Sequence, residues 1–376
     1  MYEPTGRQLP HLAFLWPALA AASASEIASS IAKQFISLTG AEDGSAAREP
    51  DWATPNTIAL ALKTVRLRDF STAQVGVPTL LCAPYALHGA GIVDLAPGHS
   101  LVAALRAAGL GRLFVTHWRS ADANMRFLAI DDYLADLNVL VDQLGGHVDL
   151  VGLCQGGWLS LLYAARFPAK VRKLVLAGAP VDIAAAPSGL SALTDASPLT
   201  LFQELVKLGD GRVLGRAVLK FWGPETVEAG EIHQLLQTRE AIDSAAFARL
   251  ADIFHAWHAW TVDLPGTYYL EVIEKLYKHN ELARGRFVGL GQTIDLATVH
   301  APLFLLAARD DELVAPAQLF ATEHLVGTPA HDIRTDMVDG HHLGLFIGQT
   351  ILSKNWPKIA RWLREPALPR TSLSRH

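Results

Sequence analysis

The sequence predicts an α/β protein whose mostly parallel central sheet has helices on both faces and is interrupted by a helical insertion. From about Val77, short apolar segments alternate with segments of helical periodicity, and this alternation is typical of a covered parallel sheet. It stops near Pro187 and returns at residue 301, while residues 188–285 have the pattern of helices and many aromatic side chains.

Each predicted element is supported by its own residues. The apolar runs "VPTLLCAP" (77–84) and "RLFVTHW" (112–118) predict buried strands, and "SLVAALRAAG" (100–109) predicts a helix that ends at Gly109. Apolar residues at helical spacing predict a second helix in "DDYLADLNVLVDQLGG" (131–146). The remaining predicted elements are a strand at 148–153, a helix at 155–166, strand segments at 171–180, 301–316 and 331–342, and a closing helix near 352–364.

The predicted organisation has three parts. Residues 1–55 form an N-terminal helical and loop extension, residues 56–187 and 286–376 form the α/β core, and residues 188–285 form a helical cap. Aromatic residues at helical spacing are usually core, and an apolar cap over the strand ends would also favour an apolar substrate. The cap residues expected nearest to such a cleft are Trp257, Trp260 and Tyr268.

The apolar run "LPHLAFLWPALAAASASE" (9–26) has three interpretations: a cleaved signal peptide, a helix packed on the domain, or an amphipathic anchor for a lipid or polymer surface. It ends in small residues, as a signal does, but only Arg7, just before the run, supplies positive charge, Glu3 is acidic, and Pro17 interrupts the run. It is also shorter than the ~20 apolar residues that a membrane span requires. A packed or surface helix is therefore favoured over a signal.

The composition argues against several functional classes. Half of the 376 residues are hydrophobic and 18% are charged, so the chain can bury a large core. A net charge of −5 without a long basic segment argues against nucleic acid as a partner. The two cysteines form no disulfide framework and no Cys/His cluster suggests zinc, so we expect no metal and a reducing, cytoplasmic setting.

A glycine-flanked cysteine lies in "DLVGLCQGGWLSLLYAARFP" (149–168), at the turn from a predicted strand to a predicted helix. In α/β-hydrolases the same strand–turn–helix unit, usually GxSxG, lifts the nucleophile above the sheet. Cys154 stands at the serine position, and the start of the following helix favours a thiolate there. The motif predicts an α/β-hydrolase fold with Cys154 as nucleophile, whereas Cys82, inside an apolar strand, is predicted to be core.

A cysteine nucleophile needs a base and a group that orients the base, and in α/β-hydrolases the chain order is nucleophile, acid, histidine. Two adjacent histidines, His341 and His342, follow the last predicted strand in "DGHHLGLFIG". Two adjacent aspartates, Asp310 and Asp311, lie at the end of the strand before it. The pattern alone does not decide which member of either pair is functional.

Further motifs accompany the cysteine turn: "PYAL" (84–87), Trp118, "DDY" (131–133), "GLCQGGWLSLLYAARFPAKVRKLVLAGAPVD" (152–182), "DELVAP" (311–316) and "GHHLGLFIG" (340–348). On these motifs the chain resembles the poly(3-hydroxyalkanoate) synthases, most of all the shorter type that works with a partner subunit, over about residues 77–365. It departs from the synthase pattern at Ala315, inserted before Pro316, at His341, where glycine is usual, and at the bulky Trp158.

The resemblance implies an acyltransferase that moves 3-hydroxyacyl groups from CoA thioesters through an acyl-enzyme on Cys154. It selects His342 as the base and Asp311 as the residue that orients it. Backbone N–H groups of Gln155 and Tyr85 would hold the oxyanion. CoA enters as part of the substrate, and no cofactor is implied. The implied partners are 3-hydroxyacyl-CoA or the polyhydroxyalkanoate, the surface of a polymer granule, and a second copy or a partner subunit.

Two other functions are compatible with the sequence. A hydrolase on the same scaffold, such as a polyhydroxyalkanoate depolymerase, an oligomer esterase or a thioesterase, would pass the acyl group to water instead of a hydroxyl. A non-catalytic granule-binding protein would carry the three site residues as a relict. The complete Cys/Asp/His set argues against that second alternative.

Overall fold

An eight-stranded sheet forms the centre of the computed structural model, which describes residues 48–222, 228–237 and 243–366. Most of the predicted N-terminal extension therefore lies outside the described residues. The sheet strands in chain order are β1 (Thr57–Ala61), β2 (Val65–Asp69), β3 (Thr79–Cys82), β4 (Leu113–Trp118), β5 (Val148–Leu153), β6 (Val171–Ala177), β7 (Leu303–Ala308) and β8 (Ile333–Val338).

Across the sheet the strands lie in the order β1-β2-β4-β3-β5-β6-β7-β8. Strand β2 pairs antiparallel with both β1 and β4, and every other neighbouring pair in the sheet is parallel. The mostly parallel sheet predicted from the sequence is therefore confirmed. Three short antiparallel ladders lie outside it, formed by Asp94–Ala96 with His99–Ser100, Arg212–Val213 with Leu264–Pro265, and Val288–Gly289 with Gln292–Thr293.

Helices follow most of the strands, as a parallel sheet requires. In chain order they are α1 (Leu101–Ala107), α2 (Ile130–Gln143), α3 (Gln155–Arg166), α4 (Gly189–Ala196), α5 (Leu199–Leu208), α6 (Gly215–Trp222), α7 (Ala229–Leu236), α8 (Ser244–Ala259), α9 (Gly266–Glu271), α10 (Pro316–Phe320), α11 (Thr322–Leu325), α12 (Gly344–Ile347), α13 (Gln349–Lys354) and α14 (Trp356–Arg364). A π-helical segment, Val272–Lys278, continues directly from α9. Within the described ranges, no helix combines the length and apolarity needed to cross a membrane.

Both faces of the sheet are covered. Because neighbouring strand residues point to opposite faces, Leu150 belongs to the apolar cluster that contains residues of α2 and α3, while Val151 belongs to the cluster that contains residues of α1 and α14. Trp158 on α3 and Trp356 on α14 are fully buried in these two clusters. The two core layers therefore hold the sheet between them.

The parallel strands bring their carboxyl ends to one edge of the sheet. Cys154 follows β5 directly, Asp311 lies in the turn after β7, and His342 lies in the loop after β8. Three residues that are far apart in the sequence thus reach the same edge. This is the region in which open α/β sheets bind ligands.

The segment predicted as a cap contains α4–α9 and the π-helical segment. The Lys278 ammonium ties the π-helical segment to the end of α4 by donating to the carbonyls of Thr194 at 2.8 Å and Ser197 at 2.7 Å. Asn280 connects the same region to the core, because its amide donates to the Asp182 carboxylate at 2.7 Å. The boundaries 188–285 and the role as a lid stay predictions.

Candidate active site

Cys154 lies at a sharp turn between β5 and α3. Its backbone has φ +49° and ψ −119°, a conformation that costs a residue with a side chain about 1–3 kcal/mol. Two hydrogen bonds hold it: the Cys154 N–H donates to the Ala177 carbonyl at 2.9 Å, and the Cys154 carbonyl accepts from the Gly157 N–H at 2.8 Å. The side chain is therefore presented at the start of α3, as in a nucleophile elbow.

The glycines around Cys154 are required by close backbone approach. A Cβ at Gly152 would lie 2.6 Å from the Gly157 Cα, so β5 and α3 could not pack at their present distance. A Cβ at Gly156 would overlap the backbone carbonyl oxygen of Cys82, at the end of β3. The motif that indicated a tight turn in the sequence therefore has a steric explanation in the fold.

Replacement of Gly156 by alanine is expected to lower the free energy of unfolding by about 3 kcal/mol, because the overlapping group is backbone and cannot rotate away. Chemical denaturation measures the change. The matched control is Gly230→Ala in α7, where a Cβ would meet nothing within 4 Å. That control should leave stability unchanged or raise it by up to about 1 kcal/mol. Equal stability of wild type and Gly156→Ala would contradict the steric argument.

Asp311 and His342 form a buried pair. The His342 Nδ1 lies 2.7 Å from the Asp311 Oδ2, and their side chains are 2% and 1% exposed. The other carboxylate oxygen of Asp311 accepts from the N–H groups of Leu313 at 3.0 Å and Val314 at 2.8 Å. The carboxylate is therefore held in place, and it determines the orientation of the imidazole.

His341 and Asp310, the alternative candidates for the base and for the acid, do not belong to this buried pair. The Nδ1 of His341 is 3.2 Å from the backbone oxygen of Asp310 and 3.4 Å from the Glu312 carboxylate, and its side chain is about one-third exposed. The Asp310 side chain is exposed. The structure thus pairs Asp311 with His342, as the family resemblance implied, while the catalytic roles of both stay predictions.

The imidazole of His342 also contacts Cys154. Burial by itself would lower the pKa of His342, but the negative charges of Asp311 and Cys154, with hydrogen bonds to both side chains, raise it well above its ordinary value of 6.5. The site therefore holds an imidazole, oriented by a carboxylate, against the side chain of Cys154.

The two predicted oxyanion donors have free N–H groups. In the part of the chain that is described, the backbone N–H groups of Gln155 and Tyr85 donate to no protein acceptor. Gln155 is the first residue of α3, and the N–H groups of a first helical turn have no partner within the helix. Tyr85 follows β3 closely in the chain. The last residue of β3, Cys82, has its carbonyl oxygen against Gly156 in the Cys154 turn. Their role as an oxyanion hole stays a prediction.

The three aromatic residues proposed for the cap side of the cleft have different surroundings. Tyr268 packs 5.2 Å from the Tyr85 ring and 4.8 Å from the Tyr133 ring. Trp257 instead packs 4.8 Å from the His88 ring and donates to the Gly89 carbonyl at 3.2 Å. Trp260 covers the same glycine, where a Cβ would lie 3.3 Å from the indole. The place of these three residues in a substrate pocket stays a prediction.

His88 joins the core loop to the insertion. Its ring lies 4.8 Å from the Trp257 ring and 4.9 Å from the His258 ring. Its backbone forms an isolated antiparallel β-bridge with Thr261. Burial and then the nearby His258 lower the pKa of His88 to about 3, against the effect of a hydrogen bond to the Trp260 backbone. Among the described residues, the buried Nδ1 of His88 has no hydrogen-bond partner, so protonation would bury an unpaired N–H.

Acid is therefore expected to destabilise the protein through His88. Because the native pKa is below 6.5, the unfolded chain binds more protons below that pH, and the stabilisation present above pH 6.5 is lost as the pH falls. Between pH 7 and pH 5 the free energy of unfolding should fall by about 1–2 kcal/mol through this residue. Urea unfolding at both pH values should show a smaller loss for His88→Gln than for wild type. Exposed His147→Gln is the control, and equal losses in all three proteins would contradict the assignment.

Two features of the site were missed in the sequence. The Tyr277 hydroxyl accepts a hydrogen bond from the Gln155 amide at 3.2 Å, although Tyr277 lies in a segment read only as helix. Glu312 lies between the two histidines, 3.4 Å from the His341 Nδ1 and from the His342 N–H. The acidic run "DDE" (310–312) could have indicated that Glu312 lies near the histidines, whereas no motif in the sequence indicated that Tyr277 contacts Gln155.

The described residues include no group of three or more His, Cys, Asp or Glu side chains that could hold a metal ion. What the site can offer chemically is a sulfur nucleophile, an imidazole and free backbone donors. A nucleophile, a base oriented by a carboxylate, and an oxyanion site are the parts of acyl-transfer catalysis. Their arrangement therefore fits transfer of an acyl group through a covalent intermediate.

The fold and the cysteine turn define an α/β-hydrolase-fold protein. Among solved structures, the monoacylglycerol lipase of Paleococcus ferrophilus matches with a TM-score of 0.50 and 14% identity, over 80% of this chain and 98% of that one. The chain belongs to the family described as "Protein of unknown function (DUF3141)", which it matches over residues 53–361.

Curated relatives confirm the resemblance to poly(3-hydroxyalkanoate) synthases. The protein named poly(3-hydroxyalkanoate) polymerase subunit PhaC of Synechocystis sp. is 29% identical over 290 residues, which cover 73% of this chain and 74% of that protein. The protein of the same name from Haloferax mediterranei is 26% identical over 337 residues, which cover 83% of this chain and 64% of that protein.

Proposed function

We propose that this protein is a polyhydroxyalkanoate synthase-like acyltransferase that takes 3-hydroxyacyl groups from CoA thioesters onto Cys154. In this proposal His342 is the base and Asp311 orients it. The observation that carries the proposal is the buried pair of His342 Nδ1 and Asp311 Oδ2, 2.7 Å apart, with the His342 side chain hydrogen-bonded to Cys154. Similarity to proteins named as poly(3-hydroxyalkanoate) polymerases supports the substrate class.

The first proposed step is acylation of Cys154. The thiolate attacks the thioester carbonyl, the bond from carbonyl carbon to CoA sulfur breaks, and the CoA thiolate takes the proton held by the His342 imidazolium. One thioester replaces another, so the acyl group keeps its activation. The charge that develops on the carbonyl oxygen would be held by the N–H groups of Gln155 and Tyr85.

The second proposed step is transfer to an acceptor. The hydroxyl of another 3-hydroxyacyl unit attacks the Cys154 thioester, and His342 takes the proton of that hydroxyl. The carbon–sulfur bond breaks, an ester bond forms, and Cys154 leaves as a thiolate beside the His342 imidazolium, which restores the starting state. In a hydrolase, water would take the place of the hydroxyl and release free 3-hydroxy acid.

The proposal includes the setting of the enzyme. Both cysteines are free, which supports a reducing, cytoplasmic location. A growing polymer is insoluble in water, so attachment to a granule surface is part of the proposal. The word "subunit" in the names of the relatives supports assembly with a partner subunit or a second copy.

Incubation of the purified full chain with 3-hydroxybutyryl-CoA tests this function. CoA release is followed with a thiol reagent, and polymer is separated from free acid by chromatography and mass spectrometry. We expect CoA release with formation of oligomer, and Cys154→Ala measures the background. Free acid that accumulates as fast as CoA would replace the synthase by a hydrolase. Absence of CoA release would overturn both the synthase and the hydrolase function.

A further inference from the structure

The loop that carries His342 is held both from the core and from the insertion. On the core side, the Asp310 N–H donates to the Gly340 carbonyl at 3.1 Å and so fixes the loop just before the histidines. On the other side, Gln237, the residue that ends α7 in the insertion, lies against the same loop. The position of His342 therefore depends on both sets of contacts.

Gln237 makes hydrogen bonds to the chain before and after His342. Its side-chain amide nitrogen donates to the Asp339 carbonyl at 3.1 Å. Its backbone carbonyl accepts from the Thr350 hydroxyl at 3.2 Å. One residue of the insertion thus joins both ends of residues 339–350, the histidine segment, which contains the proposed base.

Three glycines of the histidine segment leave room for the Gln237 side chain. A Cβ at Gly340 would lie 2.2 Å from the Gln237 Nε2, and a Cβ at Gly348 would lie 2.9 Å from its Oε1. At Gly344, between them, a Cβ would be in van der Waals contact with the same nitrogen, at 3.7 Å. The glycines of the motif "GHHLGLFIG" (340–348) therefore form a space that a residue of the insertion fills.

The backbone of Gln237 has a left-handed conformation, with φ +46° and ψ +47°. Glycine, and less often asparagine, usually ends a helix in this way, because a Cβ is disfavoured there. Glycine would fit the turn better than glutamine, but it could not reach the Asp339 carbonyl. Residues that keep such a conformation despite its cost are concentrated at functional sites, where the surrounding contacts hold them.

The partner of the Gln237 amide defines its orientation. A carbonyl oxygen only accepts hydrogen bonds, so the amide nitrogen must face Asp339. In the part of the chain that the structure describes, the buried Oε1 of the same amide has no hydrogen-bond partner. An unpaired buried oxygen lowers stability, so the net gain in stability from this side chain is small. A role in holding the histidine segment accounts for it better.

We propose that Gln237 is a positioning residue that keeps His342 beside Cys154. The inference rests on the proposed function, in which His342 gives and takes protons during acyl transfer. Gln237 acts through the Asp339 carbonyl and the histidine segment, not by contact with the reacting atoms. Displacement of a catalytic group by about 1 Å can lower a rate roughly 10²-fold. Loss of the contact should therefore slow acyl transfer without weakening the binding of the thioester.

Two variants of the full chain, Gln237→Glu and Gln237→Gly, test the proposal. Glutamate keeps the size of the side chain but puts an oxygen in place of the donor that faces the Asp339 carbonyl. Glycine removes the side chain and relieves the left-handed turn, so this variant should keep the denaturation midpoint of wild type. The matched control is Gln234→Glu, which makes the same change at an exposed position of the same helix.

Two measurements separate a positioning role from a role in folding. CoA release at increasing concentrations of 3-hydroxybutyryl-CoA gives kcat and KM. The rate at which iodoacetamide alkylates Cys154, followed by peptide mass spectrometry, reports whether His342 still activates the sulfur, and it requires no acyl transfer. Chemical denaturation of each variant shows that the fold is kept.

We expect both Gln237 variants to lower kcat about tenfold or more, with KM within about twofold of wild type, and to slow alkylation of Cys154 about threefold or more. Gln234→Glu should match wild type in both measurements. Wild-type kcat and alkylation in both variants, or a change in KM alone, would overturn the positioning role and leave acyl transfer standing. If wild type releases no CoA, the proposed function is wrong and alkylation alone decides: slower alkylation in both variants supports the positioning of His342, and equal rates overturn it.

Discussion

Replacement of Cys154 by serine is expected to stop the growth of oligomers from 3-hydroxybutyryl-CoA while the fold is kept. Serine has nearly the same shape and can occupy the same turn at φ +49°. It is far less acidic than a thiol, however, and its oxyester is less activated towards a secondary hydroxyl. We expect chain growth to fall by at least about 10³-fold, in line with the loss of a nucleophile in other covalent catalysts.

Mass spectrometry of the trapped enzyme measures this result, because a synthase carries a series of acyl units and a hydrolase carries one. Cys82→Ser is the matched control, with the same atomic change at a fully buried cysteine whose pKa is raised to about 12, chiefly by burial. Chain growth should persist in that control. Wild-type enzyme that shows only single-unit adducts, with free acid formed as fast as CoA, would contradict the expectation.

Asp311→Asn and His342→Gln are each expected to lower activity by about 10³–10⁴-fold. An asparagine at 311 would still accept from the Leu313 and Val314 N–H groups, but it would lose the charge that faces His342. Because that charge helps to hold the pKa of His342 well above 6.5, the Asn variant should also lose the imidazolium at a lower pH than wild type. Histidine signals in NMR spectra recorded across pH would detect the downward change.

The controls are Asp310→Asn and His341→Gln, which make the same changes at the neighbouring positions. Asp310 is exposed and His341 contacts Glu312 instead of the buried pair, so both variants should keep most of the activity. The opposite pattern, with activity lost at 310 and 341 only, would assign the working residues to the neighbouring positions. Loss of activity in all four variants would show that the Glu312 contacts also matter.

Most elements of the core could be predicted from the sequence because their residues are apolar throughout. The predicted helix at 155–166 and strand at 148–153 coincide with Gln155–Arg166 and Val148–Leu153. The predicted helix at 100–109 is shorter, Leu101–Ala107. The first two strands were not predicted. Strand β1 is largely exposed at the sheet edge, so the sequence "TIALA" carries no pattern of burial.

The sequence by itself determined the nucleophile turn. A glycine before Cys154 and two after it, between an apolar strand and an apolar helix, leave few other conformations at that point, and the close contacts at Gly152 and Gly156 are the physical reason. The chain order of cysteine, aspartate and histidine could also be predicted from the sequence, because each of these residues directly follows a predicted strand.

Only the tertiary structure decided how the neighbours of these residues are arranged. Asp310 and Asp311 are the same residue type at neighbouring positions, and the fold of the loop decides which carboxylate faces His342. The Leu313 and Val314 N–H groups hold the Asp311 carboxylate in that position. The hydrogen bond from the Gln155 amide to Tyr277, and the packing of Trp257 on His88, follow from how the insertion packs against the core. Contacts between segments more than a hundred residues apart leave no periodic pattern in either segment, so local residue patterns could not predict them.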